Sequence, residues 1–212
     1  WELIIALIAG TFLITFLNVK WKSSFGNTIF QKWLPANAFE WKAGVRKNLL
    51  LLLLIFIAGL GFSFLTGAVP LAIFALGIFP IKFYEKGESV QMLIAAGQPA
   101  SRLIWQKFRR HLVIFSLVTA PLIAAFMIFH VEYWYIVMAE YLLFLSLHLY
   151  FITIKYAFYV PNEKPAAVDV FTGVGTVGIV LPFLLPVVWV LTVWMFFRAR
   201  SNLKPYLNDF TA

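Results

Sequence analysis

No charged residue occurs between Lys47 and Lys82, and most of the positions between them are Leu, Ile, Phe or Ala. A stretch of that length and apolarity has no place on the surface of a soluble domain. In a bilayer it suits a helix, because the hydrocarbon core is about 30 Å thick and takes about 20 apolar residues to cross. Asn48 to Thr66 reads as one span, Gly67 to Pro70 as a tight reversal, and the run that ends near Tyr84 as a second span, so the pair predicts a helical hairpin. The rest of the chain agrees: it is 62% hydrophobic and 12% charged, with a mean hydropathy of +0.88. These values predict an all-α polytopic membrane protein, a single transmembrane domain over residues 1–212 with about six spans.

The charges assign the loops. Lys20 to Lys47 carries Lys20, Lys22, Lys32, Lys42, Arg46 and Lys47 against Glu40 alone, with Trp21, Trp33 and Trp41 among them. Indole rings favour the headgroup level and Lys and Arg the cytoplasmic side, so residues 20–47 read as an interfacial, amphipathic cytoplasmic segment. The loop 82–110 is also basic and therefore cytoplasmic, whereas the turns at 67–70 and 130–134 carry only Glu132. The net charge of +8 thus reports topology, and no nucleic-acid partner is expected. Leu3 to Val19 is a shorter candidate span; position 1 is Trp, and no basic segment precedes Leu3 to make it an intact secretory signal.

Val170 to Phe197 poses a conflict. One crossing would leave Arg198, Arg200 and Lys204 outside, against the positive-inside pattern. Pro182 and Pro186 point to a broken helix or re-entrant hairpin that returns the tail to the cytoplasm.

Few residues suggest chemistry. Gly173, Gly175 and Gly178 spell G-x-G-x-x-G, but no strand precedes them and no acid follows about 20 residues on, so they read as small residues for close helix packing. Gly59, Ser63 and Gly67 read in the same way. His111, His130 and His148 lack metal-ligand spacing, the chain has no Cys, and it has no P-loop and no nucleophile elbow; no metal, no cofactor and no catalytic residue is expected. Glu140 is the exception, because an ionised carboxylate inside a span costs a few kcal/mol unless it is partnered. At about 100° per residue His148 lies about 80° and Lys155 about 60° round the helix from Glu140, which makes a polar stripe. It reads either as a proton or substrate path or as buried polar groups that fix packing, and Lys155 is near enough to the helix end to snorkel.

The loop after Tyr84 reads as two short helices with a hinge. Ser89 caps the first, Gly97 and Pro99 stop it, and Ser101 opens the second, which carries Lys107, Arg109 and Arg110 up to the membrane. With Glu85, Glu88, Leu93, Pro99, Ser101, Arg102 and Lys107 in this order, the loop resembles the first cytoplasmic loop of ATP-binding-cassette exporter permeases of the drug and polysaccharide type, over about residues 48–129. The resemblance implies a bacterial inner-membrane permease subunit, working as a homo- or heterodimer of membrane subunits, with ATP hydrolysis on a separate ATPase subunit. It further implies that residues 85–98 form the coupling helix, with Glu85, Glu88, Leu93, Gln98 and Arg102 as the coupling residues. Residues 21–47 would stand for the family's connecting helix and Leu3 to Val19 for an added span. A non-transporting membrane scaffold or assembly factor, binding a soluble partner or anionic lipid through its basic loops, is the alternative.

Overall fold

The computed structural model describes residue 34 and residues 38–84, 87–95, 97–180 and 184–207; the candidate span Leu3 to Val19, the stretch Trp21 to Trp33, and Glu85 and Pro182 lie outside these. Among the described residues the protein is helical, with no strand. These residues form seven α-helices in order: α1 Phe39–Gly61, α2 Ala68–Phe83, α3 Val90–Ala95, α4 Ala100–Phe129, α5 Trp134–Ala157, α6 Ala166–Val180 and α7 Leu185–Leu207, with a 3₁₀ turn at Val131–Tyr133. A helix satisfies its own backbone polar groups, which a segment in hydrocarbon must do.

Three of these segments are long and apolar enough to cross a membrane: Phe39–Gly61, Ala100–Phe129 and Val131–Ala157. The helix α2 and the run Ala166–Gly178 are apolar but shorter. At 1.5 Å per residue α2 reaches about 24 Å and α4 about 45 Å, so α4 extends beyond one face of a bilayer and α2 falls short of full thickness. Residues 39–47, the described helical part of the basic stretch, do not form a separate element. They are the first part of α1, set off by a kink at Asn48 (φ −125°, ψ 16°), whose side-chain amide donates to the Gly44 carbonyl at 3.0 Å.

The helices alternate in direction. The start of α1, the end of α2, the start of α4 and the end of α5 meet at one end of the bundle, where side chains of Glu40, Tyr84, Lys107 and Lys155 contact one another or shared partners. Phe171 packs on Trp194, and Gly178 lies against Val188, so α6 and α7 run antiparallel as a hairpin. Pro186 falls in the first turn of α7, where its missing N–H leaves no helical bond unmade. Asn202 near the end of α7 donates to the Tyr156 and Tyr159 carbonyls, returning the chain to the end of α5. The Val170 to Phe197 run is therefore two helices, and Arg198, Arg200 and Lys204 join the other cations.

As a result every described Lys and Arg lies toward one end of the bundle, and the opposite end, made by the α1–α2 and α4–α5 turns, carries Glu132 alone. Because the chain has no Cys, single cysteines report this arrangement directly. An impermeant maleimide added to one side of sealed membranes is expected to label Thr66→Cys on the side opposite to Asn162→Cys and Ser201→Cys. Labelling of Ser201→Cys together with Thr66→Cys would refute the returned tail.

The centre of the bundle is α5. Phe144, Leu147, Tyr150, Ile152, Ile154 and Tyr156 are fully buried, against α2 and α4 on one side and α6 and α7 on the other. Gly175 meets the Tyr150 and Phe151 rings, which gives two of the three glycines in the G-x-G-x-x-G run a packing contact; Gly173 faces open space. On α1, Gly59 packs on Ala72 and Leu122 and Ser63 is buried, whereas Gly67 is open.

Candidate functional site

Four ionised side chains close into a buried square where α1, α4, α5 and the loop before α3 converge. Lys107 Nζ on α4 lies 2.8 Å from Glu40 Oε1 and 2.6 Å from Glu88 Oε1; Lys155 Nζ on α5 lies 3.0 Å and 3.1 Å from the same two oxygens. Each ammonium touches both carboxylates, so charges alternate around the square and sum to zero. All four side chains are below one tenth exposed. At that depth the desolvation of each ion is offset only while both opposite partners stay in place.

The surroundings hold the square in shape. The Tyr156 hydroxyl donates to Glu88 Oε1 at 3.1 Å, the Tyr159 hydroxyl donates to the Glu88 backbone carbonyl at 2.6 Å, and the rings of Tyr84 and Tyr156 lie beside the Lys155 ammonium. Gly87 brings the loop close enough: its N–H donates to the Glu163 carbonyl at 3.0 Å, and a Cβ there would collide with the Val160 carbonyl. Burial, with the Glu40 and Glu88 carboxylates adding to it, holds the Tyr84 phenol well above its ordinary range, and burial above all pushes Tyr159 up to about 12. Both phenols are therefore neutral at physiological pH and serve as donors.

One helical turn further into the bundle lies a histidine pair. Trp41 Nε1, which can only donate, reaches His111 Nδ1 at 3.1 Å, and the Tyr84 hydroxyl is 3.1 Å from the same nitrogen. With Nδ1 accepting, neutral His111 carries its proton on Nε2. His148 Nε2 is 2.7 Å from the Gly77 carbonyl, which can only accept, so neutral His148 carries its proton on Nε2 and leaves Nδ1 bare. The two remaining atoms, His111 Nε2 and His148 Nδ1, are buried without a partner, and the rings sit at 4.3 Å between centroids. The two rings therefore meet edge to face, each held from its outer side: His111 by Trp41 and Tyr84, and His148 by the Gly77 carbonyl of α2. Pro80 on the same helix has no N–H to give, so the carbonyl left without its helical donor is that of Leu76, next to Gly77.

The structure sorts the residues singled out from the sequence. Lys155 and His148 both join this centre, Lys155 in the square and His148 in the pair; Lys155 does not snorkel. Glu140 stands apart, with Oε2 buried and unpartnered among the described residues. Of the loop residues, Glu88 and Leu93 point inward, Leu93 being fully buried, because the short loop folds against α4, α5 and α7. Gln98 is half-buried, Arg102 is exposed, and Glu85 lies outside the described residues. Glu88 and Leu93 face inward and anchor the loop to the bundle.

Sequence reasoning missed Glu40, Lys107, His111, Trp41 and Tyr84. One signal was available. Lys107 and His111 are four residues apart, and His148 and Lys155 seven apart, so each pair occupies one helix face. On antiparallel neighbours the two pairs match in reverse order, lysine to lysine and histidine to histidine. Two facing lysines call for acids between them, and Glu40 is the one acid of the basic stretch 20–47.

Fold and site together define an all-helical protein with membrane-length apolar helices and a charge-compensated polar centre near its basic end. Comparison with family models, with curated proteins and with solved structures finds no match to this chain. No cluster of three or more His, Asp or Glu able to hold a metal ion occurs among the described residues.

Proposed function

We propose that the chain is a permease-like membrane subunit of an ATP-driven exporter, with about six spans, coupled to a separate ATPase through the loop 85–110. The observation that carries this reading is the position of Glu88. It belongs to the loop, yet it is bonded to Lys107 of α4 and Lys155 of α5, and Glu40 of α1 closes the square. A force on the loop reaches three membrane helices through short charge-assisted bonds, which is what coupling to a soluble motor requires. The resemblance of residues 48–129 to exporter permeases points the same way. The helix α3, anchored inward by Leu93, turns Gln91, Met92 and Ala95 outward as the contact. The small burial of α1 within the bundle leaves apolar surface for a second membrane subunit.

The test is purification of the tagged chain from its native membrane in mild detergent. A stoichiometric ATPase is expected, and it is expected to be lost with Met92→Asp, an exposed change that leaves the thermal unfolding midpoint unaltered. Absence of any ATPase from the wild-type preparation would refute the coupling role and favour a scaffold.

A further inference from the structure

The outer face of α4 carries three side chains that take part neither in the polar centre nor in the outward contact of α3, although Arg102 is among the coupling residues that the resemblance implies. At about 100° per residue Arg102, Trp105 and Arg109 fall within about 60° of one another, on the side of α4 opposite Lys107. All three are exposed, Trp105 by 58%. No acid pairs with either arginine among the described residues. The same face continues along the helix as Val113, Ala120 and Met127, all exposed and all apolar. One continuous stripe therefore changes from cationic and aromatic to hydrocarbon-like just beyond Arg109, within the part of α4 that is apolar enough to span a membrane. That is the profile of a surface lying against lipid, with the change of character marking the boundary between headgroups and acyl chains.

We propose that Arg102, Trp105 and Arg109 form a binding site for the headgroups of anionic phospholipids. The two guanidinium groups stand two turns apart, about 10 Å along the helix, with the indole between them. Each is able to take a phosphate oxygen pair through parallel N–H donors, while the indole ring between them lies among the headgroups. The apolar continuation supplies the acyl-chain contact, so one lipid leaflet satisfies the whole stripe. A soluble partner would cover the charged part and leave no continuity with Val113, Ala120 and Met127. The site goes beyond the ATPase-coupling reading, which rests on the outward side chains of α3, and it reassigns Arg102 from that contact to lipid.

The experiment reconstitutes the full chain in vesicles of mixed phosphatidylcholine and phosphatidylglycerol, re-extracts it gently and measures the retained lipid by mass spectrometry. Phosphatidylglycerol is expected to be enriched over its vesicle fraction, with about fivefold of the preference lost for each cation removed. In Arg102→Gln/Arg109→Gln the enrichment falls toward the vesicle composition, while Arg102→Lys/Arg109→Lys keeps a large part of it. Because these side chains contact no other described residue through charge, the unfolding midpoint of both variants is expected to match wild type. Brominated phosphatidylglycerol is expected to quench a fluorescence component that Trp105→Phe lacks. No enrichment, enrichment that survives the double glutamine variant, or quenching indifferent to Trp105 would each overturn the proposal.

Discussion

Replacing Lys155 with Met is expected to destabilise the protein by about 3–5 kcal/mol, because it leaves buried charge uncompensated. In its absence Glu40 and Glu88 remain side by side with Lys107 as their single cation, and the Tyr84 and Tyr156 rings lose the charge they flank. The measurement is the thermal or denaturant midpoint in detergent, compared with Lys107→Met. The Lys107 change is expected to cost less, since Lys107 also lines a cavity of about 250 Å³ and is less deeply buried than Lys155, so the carboxylates left behind are closer to solvent. A cycle makes the argument specific: in Lys155→Met/Glu88→Gln one cation and one anion are removed together, so the double variant is expected to be more stable than Lys155→Met alone. If the two losses simply add, the square is not a coupled unit and Glu88 is not a rigid link between loop and spans. The same geometry makes Glu88→Lys severe, since it would set three ammonium groups around one carboxylate.

Gly77→Val is the second large effect. A Cβ at Gly77 would lie 2.5 Å from the Phe144 ring, which is fully buried and has no room to withdraw. Overpacking of this kind costs about 1–3 kcal/mol, and here it also pushes α2 away from the His148 bond to the Gly77 carbonyl. Phe144→Leu is expected to be destabilising in the wild type and partly restoring beside Gly77→Val, which unfolding midpoints of the four proteins would show. Equal costs in both backgrounds would mean that α2 and α5 are not in the contact described. A reporter for the histidine pair accompanies this: nitrogen chemical shifts of His111 and His148 are expected to show both Nε2-protonated in the wild type, and those of His148 to move in Gly77→Val while the Trp41 indole signal stays in place.

Much of the fold was legible because hydrocarbon imposes few solutions. Long uncharged runs had to be helices, and the basic loops had to share a side. The charges flanking Val170 to Phe197 point to a hairpin, since one crossing would strand Arg198, Arg200 and Lys204 on the wrong face. Helix boundaries were less legible. The span read as starting at Asn48 is the continuation of a helix that begins at Phe39, because a kinked helix keeps most of its backbone bonds and hydropathy registers only where the charges stop. Three segments have spanning length, and the shorter α2 and α6 owe their place to packing against α5.

The polar centre was half legible. Lys155 and His148 stood out as costly groups in an apolar helix, and the stripe they form with Glu140 follows from helix geometry alone. The partners did not follow, because an isolated helix face does not say what lies opposite. Glu40 is 115 residues from Lys155 and Glu88 is 67 from it, and no local pattern links positions so far apart. The ion pairs of Glu88 were hidden for the same reason: a charge in a polar loop carries no sign of its partner until a buried cation is known to face it. The sequence alone thus determined a helical protein with membrane-length apolar segments and its cations gathered at one end, since transfer of backbone and charge into hydrocarbon permits little else. Tertiary structure alone decided which charges meet, because the low-dielectric interior accepts Glu40, Glu88, Lys107 and Lys155 only as a closed set, and only the packing of α1, α4 and α5 brings that set together.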